Sequence, residues 1–343
     1  MTAVWIVLLS FGLSWLATHG VLHRAAQLNL VQVPNHRSSH VQPTPTGGGL
    51  GMALAATVMG GWLAVAQGLP LYPLLLAVPL MLLGFWDDRG HLPARLRLAV
   101  QLAVVAALLW LLGDLPAVSL PGFVVVPVGL LFAVLLVAGV WWVNLFNFMD
   151  GIDGIAAVQG SAMLVVAAGL ITWQSPSVFG DVLWLSILCL AAAVLGFLVL
   201  NWSPARIFMG DAGSTWLSFM IFAVALLTIQ RGWLTYGCWL VLASVFVIDA
   251  TVTLLTRLLR GERWYEAHRS HAYQRLARRW GADRVAGHRA VVLLVLLINL
   301  LWLTPLAAAM LIWPAYAVGW LTAAWLPLVV AVVLLQAGRA EGS

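Results

Sequence analysis

The chain has 343 residues, 63% of them hydrophobic and 8% charged, with a formal net charge of +5 at pH 7. A soluble domain carries about 25% charged residues, so this composition excludes a water-soluble fold and points to the lipid bilayer. All seventeen basic residues are arginine, and they read as a topology signal; nothing in them argues for a nucleic acid partner.

Apolar runs of about 20 residues, the length a helix needs to cross a bilayer, lie near 2–22, 48–67, 70–86, 96–113, 121–143, 155–173, 182–200, 214–230, 234–256, 290–312 and 315–337. They predict an all-α, polytopic integral membrane protein of about 10–11 transmembrane helices, forming a single transmembrane domain over 1–343. The first run lacks a basic start and a small-residue cleavage site, so it reads as a retained helix. Cys189 and Cys238 fall inside apolar runs and read as small buried hydrophobes. With the N-terminus outside, sixteen arginines fall in the inside connections and only Arg231 outside. That split is a strong positive-inside signal. The outside connections are short, while the longer inside ones hold nearly all the polar chemistry.

Five of the twelve acidic residues, Asp87, Asp88, Asp150, Asp153 and Asp211, sit where an apolar run meets a polar break. Carboxylates are costly at membrane depth unless paired or bound to a cation, so the set is functional by default. Five inner-face segments carry them and their neighbours. The first, PNHRSSHVQPTPTGGGLG (34–51), sets Asn35, Arg37, Ser38 and His40 ahead of Gly48 and Gly49. Glycine N–H groups at a helix start suit an anion; a connector or close helix packing is the plainer reading.

The second, GFWDDRG (84–90), ends a run with adjacent acids. Neighbours on a helix point about 100° apart, so Asp87 and Asp88 are expected to do different jobs. The plainer reading pairs them with Arg89 or Arg95. In the third, NLFNFMDGIDG (144–154), Asn144, Asn147, Asp150 and Asp153 recur every three residues. Each such step turns about 300°, so all four converge only if the helix tightens or breaks, as Gly151 and Gly154 permit. Amide and carboxylate oxygens suit a hard cation such as Mg²⁺, against polar helix capping as the alternative.

The fourth, IFMGDAGSTWLSF (207–219), puts Asp211 between two glycines before a run, as a helix cap or a metal ligand on a tight turn. The fifth, the arginine-rich stretch 257–289, contains HRSHAYQRL (268–276). His268 and His271, at i,i+3, are expected to share a helix face and, with Arg269, to suit phosphate oxygens. An interfacial amphipathic helix on anionic lipid is the plainer reading. Asp249 is expected to face inward near the same membrane end, either catalytic or merely paired.

Taken in order, PNHRSSHVQPTPTGGG, DD, NxxNxxDGxDG, GDAGS and a histidine pair resemble the polyprenyl-phosphate N-acetylhexosamine-1-phosphate transferases over about Pro34 to Leu276. That family includes the enzymes initiating O-antigen, enterobacterial common antigen and teichoic acid, and the lipid I synthases. HRSHAYQRL looks most like the branch starting O-antigen on N-acetylfucosamine or a related sugar, and unlike the three-histidine form of lipid I synthases. Two positions depart from the family pattern: Gln32 stands where an Asp is common, and Thr46 where Arg or Lys is common.

The resemblance implies a Mg²⁺-dependent transfer, with Mn²⁺ as a substitute ion, at the cytoplasmic face of the bacterial inner membrane. The phospho-sugar of a UDP-N-acetylhexosamine passes to undecaprenyl phosphate and UMP leaves. Asp211, with Asp150, would hold the metal; Asp87 and Asp88 would flank the lipid phosphate. Asn144, Asn147, Asp150 and Asp153 would bind nucleotide or the metal shell, and His268 and His271 would meet the diphosphate. Membrane lipid and a second copy of the chain, as a homodimer, complete the expected partners.

The lipid phosphate, with a second pKa near 6, is already mostly dianionic at neutral pH. Positioning therefore matters more than a strong general base. A transporter, the main rival, predicts polar groups near mid-bilayer and an internal repeat; a lipid I synthase-type enzyme or a structural membrane protein are the others.

Overall fold

The computed structural model describes residues 2–32, 43–90, 92–117, 126–262 and 268–339. Among these the chain is a helical bundle: α1 (Thr2–Arg24), α2 (Gly48–Gln67), α3 (Tyr72–Arg89), α4 (Ala94–Leu112), α5 (Val128–Phe148), α6 (Ile155–Gln174), α7 (Val182–Asn201), α8 (Gly210–Gln230), α9 (Tyr236–Leu242), α10 (Ser244–Leu259), α11 (Ala272–Trp280), α12 (Arg284–Leu297), α13 (Thr304–Ile312) and α14 (Ala317–Leu334). A short antiparallel ribbon pairs Val31 with Pro45 and Gln32 with Thr44.

Nine helices among the described residues are long and apolar enough to cross a membrane, and the α9–α10 pair, bent by 73°, makes a tenth. The 18-residue α3 carries Asp87, Asp88 and Arg89 in its last turn; at about 1.5 Å per residue it too reaches across most of the hydrocarbon layer. The protein is an all-α polytopic membrane protein.

Its centre is α8, with α6 beside it: 89% and 83% of their apolar windows are buried, against 17% for α1 and 11% for α14. Lipid contacts the peripheral helices, so leucine and valine cover both their faces. The helix α3 packs on α8, α5 on α8, α1 on α2 and α7, and α12 on α6. This arrangement brings the first turn of α8 against the last turns of α3 and α5. At the opposite end, Arg231 pairs with Asp181 at 3.2 Å, and Tyr236 donates to the Pro116 carbonyl at 3.2 Å.

Several expected boundaries move. The fifth span runs to Phe148 rather than 143, so Asn144 and Asn147 are helical. Their amides find partners on α4 and α8, which lets the helix continue. The ninth span is broken at Ala243, and the tenth starts at Arg284 and carries a π-helical stretch, Ile298–Leu303. The break strands the Leu242 carbonyl inside the bundle. Gln159 donates to it at 3.0 Å while exchanging amide hydrogen bonds with Asn299. Without that amide the carbonyl would lie unpaired in a dry interior.

Candidate active site

The helices α3 and α8 touch backbone to backbone: a Cβ on Gly84 would lie 2.4 Å from the Ala212 nitrogen. One turn further on, Asp88 therefore meets the start of α8. Its Oδ1 accepts from the Asp211 N–H at 2.8 Å and its Oδ2 from the Ala212 N–H at 3.2 Å. Gly210 makes room for this, with φ of 74° and a position where a Cβ would lie 2.6 Å from Asp88 Oδ2. Asp211 thus sits in the first turn of α8, and another helix supplies the cap that its own side chain was a candidate for.

Asp87 points elsewhere, as the helical step requires. It accepts from the Leu92 N–H at 2.7 Å and pairs with Arg97 at 2.5 Å. The Arg97 guanidinium, on α4, also lies 3.8 Å from Asp211 Oδ2. Asn147, at the end of α5, donates to Asp211 Oδ1 at 2.8 Å and to Ser214 at 2.9 Å. Asp87, Asp88, Asn147 and Asp211 are therefore one cluster, and Arg97, read in the sequence only as a topology charge, is part of it.

The four residues of the 144–153 series do not converge. Asn144 donates to Gln101 on α4 at 2.7 Å. Asp150 lies beyond the end of α5, within electrostatic reach of Asp88 and Asp211. Burial and those carboxylates, with Asp153, push its pKa well above the ordinary range. Asp153 turns away entirely, its side chain 1% exposed. It accepts from Ser203 at 2.9 Å and from the Ala205 N–H at 3.2 Å, and it pairs with Arg284 at 3.4 Å and His288 at 3.3 Å. Burial raises its pKa, but His288, Arg284 and Ser203 together outweigh that and hold it below the usual value. Its observed partners belong to the protein scaffold.

The histidines stack, though not as members of one helix. His268 precedes α11 in extended chain, while His271 is the N-cap of α11. Their ring centroids are 4.8 Å apart. Asp249 of α10 pairs with His271 Nδ1 at 3.2 Å. Burial, then His271 and Arg257, push the His268 pKa down to about 3, so its ring is neutral near pH 7. Tyr273 donates to the Phe148 carbonyl at 3.1 Å, tying this turn to the Asn147–Asp150 segment. After α14, the Gly338 N–H donates to the Ser270 carbonyl at 2.9 Å, and Arg275 donates to the Arg339 carbonyl. Arg269 is exposed at the same turn.

Asn35, Arg37, Ser38 and His40 lie outside the described residues. The anion reading of the adjoining glycines is corrected. The Gly48 and Gly49 N–H groups donate to the Phe208 and Met209 carbonyls at 2.8 and 3.0 Å, so those donors are spent on the backbone before α8. A Cβ on Gly49 would lie 2.2 Å from the Gly213 Cα. These small residues serve close helix packing.

Among the described residues no group of three or more His, Cys, Asp and Glu side chains is arranged to hold a metal ion unaided. Mg²⁺ commonly takes one or two carboxylates and completes its shell with phosphates and water. The residues present fit that pattern. Arg97 supplies one positive charge beside Asp87 and Asp211, while the cluster as a whole holds more carboxylates than that one cation balances. Asp150 makes no side-chain hydrogen bond or ion pair among the described residues, leaving its lone pairs for a ligand.

The comparisons with known proteins follow this geometry. The model for glycosyl transferase family 4 matches residues 70–229, which contain the paired acids, the asparagine–aspartate series and Asp211. The chain is 30% identical over 317 residues to the decaprenyl-phosphate N-acetylglucosaminephosphotransferase of Mycobacterium leprae, covering 81% of this chain and 76% of that one. It is 28% identical to the probable undecaprenyl-phosphate N-acetylglucosaminyl 1-phosphate transferase of Bacillus subtilis, over 81% and 76% of the two chains. It is 32% identical to the phospho-N-acetylmuramoyl-pentapeptide-transferase of Lactiplantibacillus plantarum, over 62% and 68%. The chain belongs to glycosyl transferase family 4, the polyprenyl-phosphate N-acetylhexosamine-1-phosphate transferases.

Proposed function

We propose that the protein transfers the phospho-sugar of a UDP-N-acetylhexosamine to undecaprenyl phosphate, initiating O-antigen or another cell-envelope glycan. A phosphate oxygen of the lipid attacks the sugar-bearing phosphorus of the diphosphate. The bond from that phosphorus to the bridging oxygen breaks, and UMP leaves with the electron pair. The observation that carries the reading is the convergence of Asp87, Asp88, Asn147 and Asp211 at one end of the bundle. The names of the relatives support a polyprenyl phosphate acceptor and an N-acetylated amino-sugar donor.

Asp211 and Asp150 would hold Mg²⁺, with Mn²⁺ as a substitute; bound there, the ion would neutralise diphosphate charge and improve the leaving group. The protein's own residues do the positioning. Asp88 fixes the first turn of α8 and so the place of Asp211. Asn147 orients the Asp211 carboxylate, and Arg97 offsets the charge of Asp87. The histidine turn offers ring nitrogens to phosphate oxygens. The arginine distribution supports a cytoplasmic site in the inner membrane, where a lipid tail stays in the bilayer and UDP-sugar arrives from water.

Purified protein with Mg²⁺, undecaprenyl phosphate and a panel of UDP-N-acetylhexosamines should release UMP with at least one donor, and Asp211→Asn should abolish that Mg²⁺-dependent turnover. Near-normal activity in Asp211→Asn would remove it as the metal ligand. Flux of UDP-sugar into vesicles without UMP release would favour a transporter instead.

A further inference from the structure

Asp249 is 5% exposed in the middle of α10, yet its carboxylate is fully engaged. Oδ1 accepts from Thr253 at 3.1 Å, from His271 Nδ1 at 3.2 Å and from the Ala272 N–H at 3.0 Å; Oδ2 accepts from the Tyr273 N–H at 2.9 Å. The two backbone bonds cap the start of α11, where a negative charge also suits the helix dipole. His271 is itself the N-cap of α11 and shares a capping box with Gln274, so the third bond fixes the imidazole at the head of that helix.

An ionised carboxylate only accepts, so the facing Nδ1 carries the proton and Nε2 is the ring nitrogen left for a ligand. The ring plane is also fixed, stacked between His268 at 4.8 Å and Tyr273 at 5.7 Å, both at 27°. The groups bearing on this ring are Asp249 from α10 and His268 and Tyr273 from its own turn; Arg257 acts on His268, and Asp150 acts on Tyr273. Through the Tyr273 hydroxyl the assembly is bonded to the Phe148 carbonyl, one residue past Asn147.

We propose that Asp249 is a positioning residue for the transfer: it holds His271 by Nδ1 so that Nε2 faces the diphosphate of the bound substrate. This rests on the functional reading above. A carboxylate behind an imidazole fixes its tautomer and strengthens it as a donor to an anion in front. Losing such a partner costs roughly 10- to 100-fold in comparable carboxylate–histidine pairs.

The test is a double-mutant cycle with a spectroscopic arm. Asp249→Asn should lower kcat by roughly tenfold or more with KM for the UDP-sugar changed much less. In a His271→Asn background the same substitution should change kcat little, because Asp249 acts through that ring. Asp249→Glu should recover part of the loss. An equal fold-loss in both backgrounds, or no loss in either, would overturn the proposal, since a purely structural cap acts whether or not His271 is present. Nitrogen-15 NMR of histidine-labelled full-length protein, with His271→Asn to assign the signal, should show Nδ1 protonated in the wild type and a changed tautomer balance in Asp249→Asn. An unchanged His271 signal would overturn it as well. If the wild-type protein releases no UMP, the functional reading falls, while the spectrum still reports on the pairing.

Discussion

Asp88 and Asp211 are bonded side chain to backbone across two helices: the Asp88 carboxylate accepts the N–H groups of Asp211 at 2.8 Å and of Ala212. One member of the acidic pair is thus a cap for the helix that carries the other half of the site. Asp88→Ala should lower the thermal midpoint in detergent, since losing a capping side chain costs about 1 kcal/mol, and should also abolish turnover by releasing Asp211. Asp87→Asn should lower the midpoint less, because the amide oxygen can still accept from the Leu92 N–H and the lost charge pair involves an Arg97 that is 41% exposed to screening solvent. Fluorimetry beside UMP release separates the two. Activity restored at high pH in Asp87→Asn or Asp88→Asn would instead mark base catalysis.

Arg97 lies between Asp87 and Asp211. Removing its charge leaves the acids more negative and weakens the arrangement that spaces them. Arg97→Gln should therefore reduce kcat by on the order of 10²-fold while lowering the Mg²⁺ concentration needed for half-activity. A Mg²⁺ titration of UMP release reads both. A raised requirement would show that Arg97 supports the cation's site rather than competing with it.

Asp153 makes the opposite kind of contribution. Breaking a buried pair by removing one member typically costs about 3–5 kcal/mol, and Asp153→Ala should destabilise the fold by that order without a specific change in donor KM. Its folded pKa lies below the unfolded carboxylate value. The pairing therefore stabilises the protein above the unfolded pKa of about 3.9, and that stability is lost as pH falls through the lower folded value. Thermal midpoints between neutral pH and about pH 3 should fall in the wild type and fall less in Asp153→Asn. A KM effect with unchanged stability would make Asp153 a substrate contact.

His268, with a pKa near 3, is neutral in the free protein at physiological pH. A diphosphate placed against it supplies the negative charge that favours protonation. Binding of UDP-sugar with Mg²⁺ should then take up a fraction of a proton, seen by calorimetry as a heat that depends on the buffer's ionisation enthalpy. His268→Gln should remove that dependence. Equal heats in all buffers with the wild type would mean the ring binds, if at all, as a neutral group.

The residues that define the site were legible as types and positions, but their partners were not. Asp87, Asp211 and Asn147 stand out because polar groups at the ends of apolar runs are rare and costly. Nothing local joins Arg97 to Asp87, ten residues before it across a helix break, or pairs Asp249, conspicuous as an acid within an apolar run, with His271, 22 residues on. The three-residue period of Asn144, Asn147, Asp150 and Asp153 suggested one shared ligand. The ladder instead ends at Phe148, and the chain past it sends Asp150 and Asp153 in different directions. Gly48 and Gly49, at the start of α2, cradle no anion with N–H groups that the Phe208 and Met209 carbonyls occupy, a contact that only the packing of α2 on α8 creates.

By itself the sequence determined that this is a helical membrane protein and that its acids, amides and histidines gather near the same helix ends. Both follow from local quantities, the length of apolar runs and the expense of placing a charge within them. Only the tertiary structure decided which carboxylate caps a helix, which stays open to a ligand and which is locked into the scaffold. Those roles depend on the donors that neighbouring helices bring within about 3 Å, and helix packing, which no single segment encodes, sets that distance.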